Sequence, residues 1–318
     1  MIDLIKLRKK NISENEKNFV IQKSNLKPNF ANGKQYHDNA SIKNFEGGFY
    51  VKIDHENTLK IEGSLHKFWN WTNQKKLVND NRFTISNAYQ IFKNLVNFIG
   101  FEPTGVLVTH FEIGANIPVN IDAKVLLSKV LYISVFDDLS IKKQMLINPK
   151  YRDARHITTY FNKGIKIYYR MYDKYFEMRM KEKTTPENGN LIRIETVNLN
   201  VTKMLLTDFM KLKTLQEQKN IFFKKWQNVF FDFDVIAPSG TYKSRIDLAK
   251  EIILHGTTFV IDKYKIMHSE GKTTKKTLRG ILEFCRDWHT LKKDYLVDSN
   301  NSAKAWQTAY ISEIQQLN

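Results

Sequence analysis

Hydrophobic and polar residues alternate with a period of two in several short stretches between residues 48 and 201, a pattern typical of β-strands. Residues 48–54 (GFYVKID) and 57–65 (NTLKIEGSL) meet at the segment HEN (55–57), which favours a hairpin. Residues 155–161 (RHITTYF) and 165–174 (IKIYYRMYDK) are separated by NKG, which favours a second hairpin. Two further strands are predicted, over 105–117 and over 191–201.

A helical period replaces the alternation between the strands predicted at 57–65 and at 105–117. In TISNAYQIFKNLVNFIG (84–100) the apolar residues recur every three or four positions, so one face of a helix is apolar. Thr84 or Ser86 can cap the first turn, and Gly100 can end the last one. A second helix is predicted from about 120 to 132 (NIDAKVLLSKVLY).

Beyond residue 203 the pattern is mostly helical. Thr214 and Glu217 have the spacing of a capping box at the start of TLQEQKNIFFKKWQNVFF. Residues 273–296 predict a basic helix with one apolar side. We therefore expect an α+β protein with a mixed, largely antiparallel sheet and packed helices, followed by a mostly helical C-terminal part.

Changes of composition along the chain predict three regions. Residues 1–45 are rich in Asn and Lys and form a polar N-terminal segment, in which 25–39 is expected to be loop. Residues 46–235 contain the strands and form the candidate catalytic domain. The segment IAPSGTYKS (236–244) marks a boundary, after which 236–318 form a helical C-terminal region with a possible DNA-binding role.

The charge of the chain narrows the range of partners. Fifty Lys and Arg residues against 33 Asp and Glu residues give a net charge of +17, which favours an anionic partner, nucleic acid in particular. The alternative is that the chain comes from a proteome that is generally basic and rich in Lys and Asn, so that its charge has no role in binding. Cys285 is the single cysteine, which excludes an internal disulfide or a Cys-based zinc site and fits a reducing cytoplasm. No stretch approaches the length of a membrane span, so we expect no membrane partner.

Acidic residues interrupt three of the predicted strands on the face opposite the apolar residues. Glu62 lies on that face of its strand, His110 and Glu112 share it in the next, and Arg193 and Glu195 share it in the last. Three carboxylates, or two with the histidine, can hold a hard divalent cation such as Mg²⁺ or Mn²⁺ when the strands pair. The alternative for each glutamate is a solvated position on the outside of the sheet.

The stretch IKIYYRMYDK places tyrosines beside cations on one strand. Tyr168, Arg170, Tyr172 and Lys174 share a face, whereas Tyr169 points to the core. A tyrosine can form a covalent intermediate, and neighbouring cations and a metal ion would favour its phenolate. Tyr172 is the first candidate for a nucleophile because Lys174 lies two residues further on the same face, and Tyr168 is the second.

At this point the order of motifs resembles a known family. LKIEGSLHKFWN (59–70), FEIGANI (111–117), YYRMYDK (168–174) and NLIRIETVNLNVTKM (190–204) resemble the trans-acting initiators of rolling-circle plasmids and the replication proteins of single-stranded DNA phages. The resemblance covers about residues 48 to 235. It implies a metal-dependent, site-specific DNA endonuclease and strand transferase in the cytoplasm of a bacterial host cell. Such an enzyme nicks origin DNA, keeps the 5′ end as a phosphotyrosine, leaves a 3′-OH and later rejoins the strand.

The resemblance also implies roles for particular residues. The family's Y-[DN]-K element corresponds to Tyr172–Lys174, and its acidic metal ligands correspond to Glu112 and Glu195, with Glu62 as a third candidate. A strand with two metal-binding histidines has no counterpart here, because His110 stands alone beside Glu112. Single-stranded or origin DNA would be the substrate, and a host polymerase and helicase would be partners.

Cations outside the motifs are candidate DNA contacts. Arg170 and Arg193 lie on the tyrosine and glutamate strands, and Lys275, Lys276 and Arg279 lie on the basic C-terminal helix, which can track phosphates. The alternative for that helix is a solvated charged surface. Two other functions remain open at this stage. One is a DNA-binding regulator without chemistry, and the other is a relaxase for transfer of a mobile element.

Overall fold

A computed structural model describes residues 1–40, 46–134, 142–148, 155–159, 166–181, 189–199, 201, 203–299 and 301–317. The hairpin segment NKG at 162–164 and most of the polar loop after Lys181 lie outside these residues. The strands and helices have the following bounds in chain order: β1 Ile2–Lys9, α1 Glu14–Lys23, β2 Lys27–Ala31, β3 Lys34–Asp38, β4 Phe49–Ile53, β5 Leu59–Ser64, α2 Leu65–Gln74, α3 Ile85–Ile99, β6 Leu107–Val119, α4 Ala123–Ser128, β7 Val130–Ser134, β8 Lys142–Ile147, β9 His156–Thr159, β10 Ile167–Asp173, α5 Lys174–Lys181, β11 Asn190–Asn198, α6 Leu206–Phe209, α7 Leu212–Trp226, β12 Val229–Phe231, β13 Phe233–Ile236, α8 Lys243–His255, α9 Thr257–Ser269, α10 Lys275–Leu291, β14 Leu296–Ser299 and α11 Asn301–Leu317.

Twelve of these strands form one sheet in the order β12-β7-β8-β9-β10-β11-β6-β1-β5-β4-β3-β2. Every strand pair of this sheet in the described residues is antiparallel. The predicted α+β class with a helical C-terminal part is therefore confirmed. None of the described helices is both long and apolar enough to cross a membrane.

The N-terminal segment differs most from its prediction. β1 is a central strand, paired with β5 on one side and β6 on the other, and its Ile2, Ile5 and Leu7 are buried. Residues 25–39, which we expected to be loop, form the hairpin of β2 and β3 with a turn at Asn32 and Gly33, both at positive φ. The many Asn and Lys residues obscured the alternation of apolar residues in β1.

Local signals predicted some elements well and others poorly. Helix α3 begins at the Thr84 cap and ends at Gly100, whose φ of 83° suits a glycine. The helix predicted over 120–132 is wrong in its second half, because α4 ends at Ser128 and β7 follows. The capping box of Thr214 and Glu217 is also wrong. Helix α7 begins earlier, at Leu212, and has no side-chain cap.

The helices that build the main core pack on one side of the sheet, here called the apolar face and lined by residues such as Ile113 and Ile194. The Phe209 ring of α6 lies 5.0 Å from the ring of Phe111 on β6. The indole Nε1 of Trp226 on α7 donates to Thr196 Oγ1 of β11 at 3.1 Å. Burying these large side chains removes water from this face and leaves the other side of the sheet, the polar face, for charged residues.

The C-terminal region is not one unit. A second, smaller core joins α8, α9 and α10 through residues that include Leu248, Val260 and Phe284, and Val235 of the hairpin β13–β14 packs against it. Helix α11 instead returns to the main core, where the Trp306 and Tyr310 side chains are buried. The predicted boundary near 236 therefore separates α8–α10, but not α11, from the main core.

Candidate functional site

The strand register brings most of the candidate residues together on the polar face. Tyr172 pairs with Arg193, and Arg170 pairs with Glu195, across β10 and β11. On the other side of β11, Glu195 pairs with Gly114 of β6, one step along that face from Glu112. The prediction that the tyrosines, the arginines and the two glutamates share one face is therefore correct.

These side chains form a continuous chain of ion pairs. From β1 to β6 it runs through Asp3, Arg193, Glu195, Arg170 and Glu112. Arg193 Nε lies 2.7 Å from Glu195 Oε1, Arg170 Nη2 lies 2.6 Å from Glu195 Oε2 and 2.7 Å from Glu112 Oε2, and Arg193 Nη2 contacts Asp3 Oδ2. His110 Nε2 extends the chain, 3.2 Å from Glu112 Oε1. Glu112 and Glu195 are buried, so the alternative of solvated surface carboxylates is wrong for both.

Arg193 is bonded to protein groups through its whole guanidinium. Its guanidinium donates from Nε to Glu195, from Nη1 to Asn116 Oδ1 at 2.8 Å and from Nη2 to Asp3. The residue is only 1% exposed. A side chain at Gly114 would place its Cβ 2.8 Å from Arg193 Nη2, so any larger residue there would require the buried Arg193 guanidinium to shift. A DNA contact by Arg193 stays a prediction, and in this structure the guanidinium is enclosed by protein groups.

Tyr172 occupies the centre of the network. Its hydroxyl donates to Glu195 Oε1 at 2.8 Å, and its ring stacks on His156 of β9 with 5.0 Å between ring centroids. Burial raises the pKa of Tyr172 well above its ordinary value, and the charge of Glu195 raises it further, against the opposite effects of Arg193 and Arg170. Arg170 and Arg193 thus favour the phenolate, as expected of neighbouring cations, but burial and the charge of Glu195 outweigh them and keep the pKa of Tyr172 raised.

Lys174 is buried but does not continue the strand. Strand β10 ends at Asp173, and Lys174 is the first residue of α5. Asp173 Oδ1 accepts from the Phe176 backbone N–H at 2.9 Å, which caps this helix. Lys174 Nζ lies 2.9 Å from Glu177 Oε2, and α5 packs against β10 and β11. The helix therefore turns back against the strands of Tyr172, and Lys174 approaches the network from a helix terminus.

Tyr168 lies at the more open end of the same row. Its side chain is half-buried, and the Arg170 Cζ atom lies 5.7 Å from its ring centroid. Burial raises its pKa, and Glu112 and Glu195 raise it too, whereas Arg170 lowers it. The structure thus separates the two candidate tyrosines. Tyr172 is bonded to a carboxylate inside the network, whereas Tyr168 borders solvent at its edge.

Glu62 does not join the network. It lies on the same polar face, but its carboxylate pairs with Lys6 Nζ at 2.7 Å, and its side chain is 44% exposed. Lys6 stands between Glu62 and His110 in the strand register. Among the three predicted carboxylate ligands, Glu112 and Glu195 are therefore close together and Glu62 is apart.

The two inner carboxylates fit a single cation. Both lie within 2.7 Å of one atom, Arg170 Nη2, so they are close enough to share one positive charge. Within the described residues, no group of three or more His, Cys, Asp and Glu side chains converges as a metal centre. A divalent cation would thus have Glu112, Glu195 and the adjacent His110 as ligands only if the guanidinium of Arg170 moved aside.

Sequence reasoning missed several members of the site. Asp3 was hidden in the segment predicted to be polar, although the alternation in MIDLIKL could have revealed the strand and its acidic position. Asn79 donates to Asp3 at 2.9 Å from the loop between α2 and α3, and Asn116 donates to Asn79 O at 3.0 Å. His66 on α2 and His156 on β9 carry no motif that marks them. These contacts depend on tertiary structure and have no local signal.

The basic C-terminal helix is separate from the network. Lys275, Lys276 and Arg279 are exposed in the first turns of α10, after the Thr274 cap, and α10 belongs to the second core. Arg279 Nε pairs with Glu283 at 3.0 Å along the same helix. These residues are accessible, as a phosphate contact requires, but the same exposure fits a solvated charged surface.

Neither a scan against protein-family models nor a search of curated proteins gives a match to this chain. The resemblance to rolling-circle initiators therefore depends on the order of the quoted motifs.

Proposed function

We propose that the protein is a replication initiator that nicks single-stranded origin DNA with Tyr172. The observation that carries this proposal is the hydrogen bond from the Tyr172 hydroxyl to Glu195 Oε1, made inside a network that also contains two arginines. A tyrosine with a carboxylate as proton acceptor and cations beside it has what an attack on a phosphodiester requires. The motif order and the net charge of +17 support the same function.

The nicking step follows from these contacts. The Tyr172 oxygen forms a bond to phosphorus as its proton passes to Glu195. The bond between phosphorus and the 3′ oxygen breaks, and that oxygen takes up a proton to give a 3′-OH. The phosphotyrosine link preserves a phosphodiester, so the reverse reaction rejoins a strand without a nucleotide cofactor. A host polymerase, with a helicase, would extend the 3′-OH in the cytoplasm of the cell.

A divalent cation, Mg²⁺ or Mn²⁺, would withdraw charge from the scissile phosphate when bound at Glu112, Glu195 and His110. Glu195 would then serve both the cation and the Tyr172 proton. Arg170 would stabilise the charge that develops on the phosphate oxygens. Lys174, at the start of α5, would supply a further positive charge that favours the Tyr172 phenolate.

The open part of the polar face is a path for the DNA strand. Lys52, Lys60 and Arg8 form one row across β4, β5 and β1. Lys6 lies two residues before Arg8 and therefore on the same face. It pairs in register with His110 at the edge of the network. A row of cations on an uncovered sheet that leads to the site suits a single strand, whose backbone is contacted through phosphates.

The test is covalent capture. The full chain is incubated with a randomised pool of single-stranded oligonucleotides, labelled at the 3′ end, and with Mn²⁺. Wild type is expected to form a labelled adduct that survives denaturing electrophoresis. Tyr172→Phe is expected to abolish the adduct, whereas the matched variant Tyr168→Phe should retain it. Loss of the adduct with Tyr168→Phe alone would reverse the assignment.

One observation favours a second function, DNA binding without chemistry. Tyr172 is almost fully buried and its pKa is raised, which suits a structural hydrogen bond as well as a nucleophile. A wild-type protein that binds the oligonucleotides but forms no adduct with either Mg²⁺ or Mn²⁺ would support this function. A relaxase would perform the same chemistry and would pass the same test.

A further inference from the structure

Arg170 and Arg193 both neutralise Glu195, but they do so in different ways. Every terminal nitrogen of the Arg193 guanidinium, and its Nε, has an acceptor. Arg170 uses Nη2 for both Glu112 and Glu195, and its buried Nε has no hydrogen-bond acceptor in the described part of the chain. Arg193 is thus built into the fold, whereas Arg170 supplies charge without filling its hydrogen bonds.

The carboxylate side of this contact is incomplete as well. Glu195 Oε2 lies 2.6 Å from Arg170 Nη2, yet it makes no hydrogen bond of acceptable geometry with any described residue. Glu195 is only 2% exposed. Buried polar atoms without hydrogen bonds are rare, and one explanation is a position that another ligand fills. Here the two incomplete atoms belong to the same ion pair.

The charges of the network favour a divalent occupant. Asp3, Glu195 and Glu112 supply three carboxylates, whereas Arg193 and Arg170 supply two guanidinium groups. Replacing the single charge of Arg170 by a divalent cation would balance the three carboxylates. Hard divalent cations also accept carboxylate oxygens in flexible numbers, so they do not need the planar geometry of a guanidinium.

The Arg170 side chain also has access to solvent. Its side chain is 24% exposed, against 2% for Arg193, and it lies beside the half-buried ring of Tyr168. The guanidinium can therefore turn toward the solvent edge of the polar face without breaking the core. There it would meet the phosphates of a strand that approaches along β1 and β6.

We infer that Arg170 is an exchangeable counter-cation of the site. It holds Glu112 and Glu195 together when no metal is bound. It leaves them for a substrate phosphate when a divalent cation binds. This inference rests on the proposed function for the identity of the phosphate. It predicts positive coupling, because the cation frees the arginine that binds DNA and DNA withdraws the arginine that blocks the cation.

The first test measures Mn²⁺ binding to the full chain from the electron paramagnetic resonance of free Mn²⁺, without DNA. Arg170→Gln is expected to bind Mn²⁺ at least about tenfold more tightly than wild type, a difference of about 1.4 kcal/mol. The matched control Arg286→Gln, which removes an exposed arginine on α10, should bind Mn²⁺ like wild type. Adding Glu112→Gln to Arg170→Gln should remove the gain. Equal or weaker Mn²⁺ binding by Arg170→Gln would overturn the inference.

The second test uses only the wild-type protein, so it does not depend on whether a variant of the network folds. Wild-type affinity for Mn²⁺ is measured with and without a ten-nucleotide thymidine strand, after subtracting Mn²⁺ bound by the strand alone. The affinity is expected to rise severalfold, and an unchanged or lower affinity would contradict the exchange. These results are independent of covalent capture. A missing adduct with Arg170-dependent Mn²⁺ binding would refute the nicking function alone, and the reverse pattern would refute the exchange alone.

Discussion

Glu62 on β5 and Glu195 on β11 have equivalent places in the alternation of their strands, yet their surroundings are opposite. Each glutamate interrupts an apolar alternation and points to the polar face of one sheet. The Glu62 side chain is 44% exposed and pairs with Lys6, whereas the Glu195 side chain is 3% exposed and contacts two arginines and a tyrosine. The two glutamates differ because other elements cover the sheet at Glu195 and not at Glu62. The sequence of a strand alone does not predict which part of the sheet is covered.

Two kinds of cover enclose the inner part of the polar face. The loop between α2 and α3 supplies Asn79, whose backbone oxygen accepts from both Arg193 and Asn116. Helix α5 packs on β10 and β11 where β10 ends at Asp173. Charges under this cover must be paired, because an uncompensated buried charge is costly, whereas charges on β4 and β5 remain in contact with water. The comparison predicts that equivalent substitutions have unequal effects.

The largest effect is expected at Arg193. Arg193→Met leaves Asp3 and Glu195 buried with less compensation, and breaking a buried pair in this way costs about 3–5 kcal/mol. The free energy of unfolding from urea denaturation measures this loss. Lys60→Met on the open part of the face is the matched control. A similar loss for both variants would show that burial does not distinguish the two regions.

Asp3 is expected to couple stability to acid. Arg193 and the neighbouring His66 and Ser64 hold the pKa of Asp3 far below its ordinary 3.8, although burial alone would raise it. The unfolded chain therefore takes up the proton first, and the stabilisation is lost as the pH falls below about 4. Asp3→Asn should be less stable than wild type at pH 7, and the gap should narrow toward pH 2. A constant gap in urea denaturation would contradict the shifted pKa.

A second pH dependence is expected from His66, in a different range. Burial lowers the pKa of His66 to about 3, and its Nε2 lies 2.6 Å from Asn81 Oδ1. The unfolded chain binds a proton near pH 6.5 and the folded chain does not, so stability falls as the pH drops below that value. The slope is at most about 1.4 kcal/mol per pH unit. His66→Gln should remove it between pH 6.5 and 4, whereas His55→Gln on the exposed loop should not.

The open part of the face is expected to matter for DNA more than for stability. Neutralising one row with Lys52→Gln, Lys60→Gln and Arg8→Gln should reduce the slope of log affinity against log salt for a thymidine strand by about two. The free energy of unfolding should change by less than about 1 kcal/mol, because exposed charges contribute little. Fluorescence anisotropy measures the slope. The control removes three exposed lysines from helices: Lys93, Lys213 and Lys265.

The row would be excluded as a DNA path if the control reduced the salt slope as much as the row variant. A normal slope for the row and a reduced slope for a variant of Lys275, Lys276 and Arg279 would place the phosphate contacts on α10 instead.

The smallest effect is expected for Glu62→Gln. Its ion pair with Lys6 is exposed to solvent, and such a pair is worth about 0–1 kcal/mol. Glu195→Gln should cost clearly more in the same urea experiment, because it weakens contacts with Arg193 and Arg170 at once. Equal losses for the two glutamates would remove the distinction between them.

Much of the fold could be predicted because its signals are local. Alternation identified β4, β5, β10 and β11, and a cap with a terminal glycine identified α3. Alternation also placed Arg170, Tyr172, Arg193 and Glu195 on one face. The role of β1 was missed because basic residues follow its apolar positions and the Asn- and Lys-rich residues after it suggested a polar segment.

The site was predictable only in part, for a physical reason. Period-two alternation states which residues share a face, but burial depends on elements far away in the chain. Arg193 illustrates this, because three of its four acceptor residues, Asp3, Asn79 and Asn116, lie at least 77 positions away in sequence. Its role as a saturated structural cation followed from those contacts and not from its strand. The burial of Tyr172 under the network has the same origin.

The most direct measurement of the central claim is the identity of the residue that carries DNA. After reaction with the randomised single strands and Mn²⁺, the protein is digested with a nuclease and a protease, and the modified peptide is sequenced by mass spectrometry. We predict a nucleotide linked through phosphate to Tyr172, in the peptide that contains Met171 and Asp173. A nucleotide on Tyr168, or no modified peptide in a protein that binds the strands, would contradict the account.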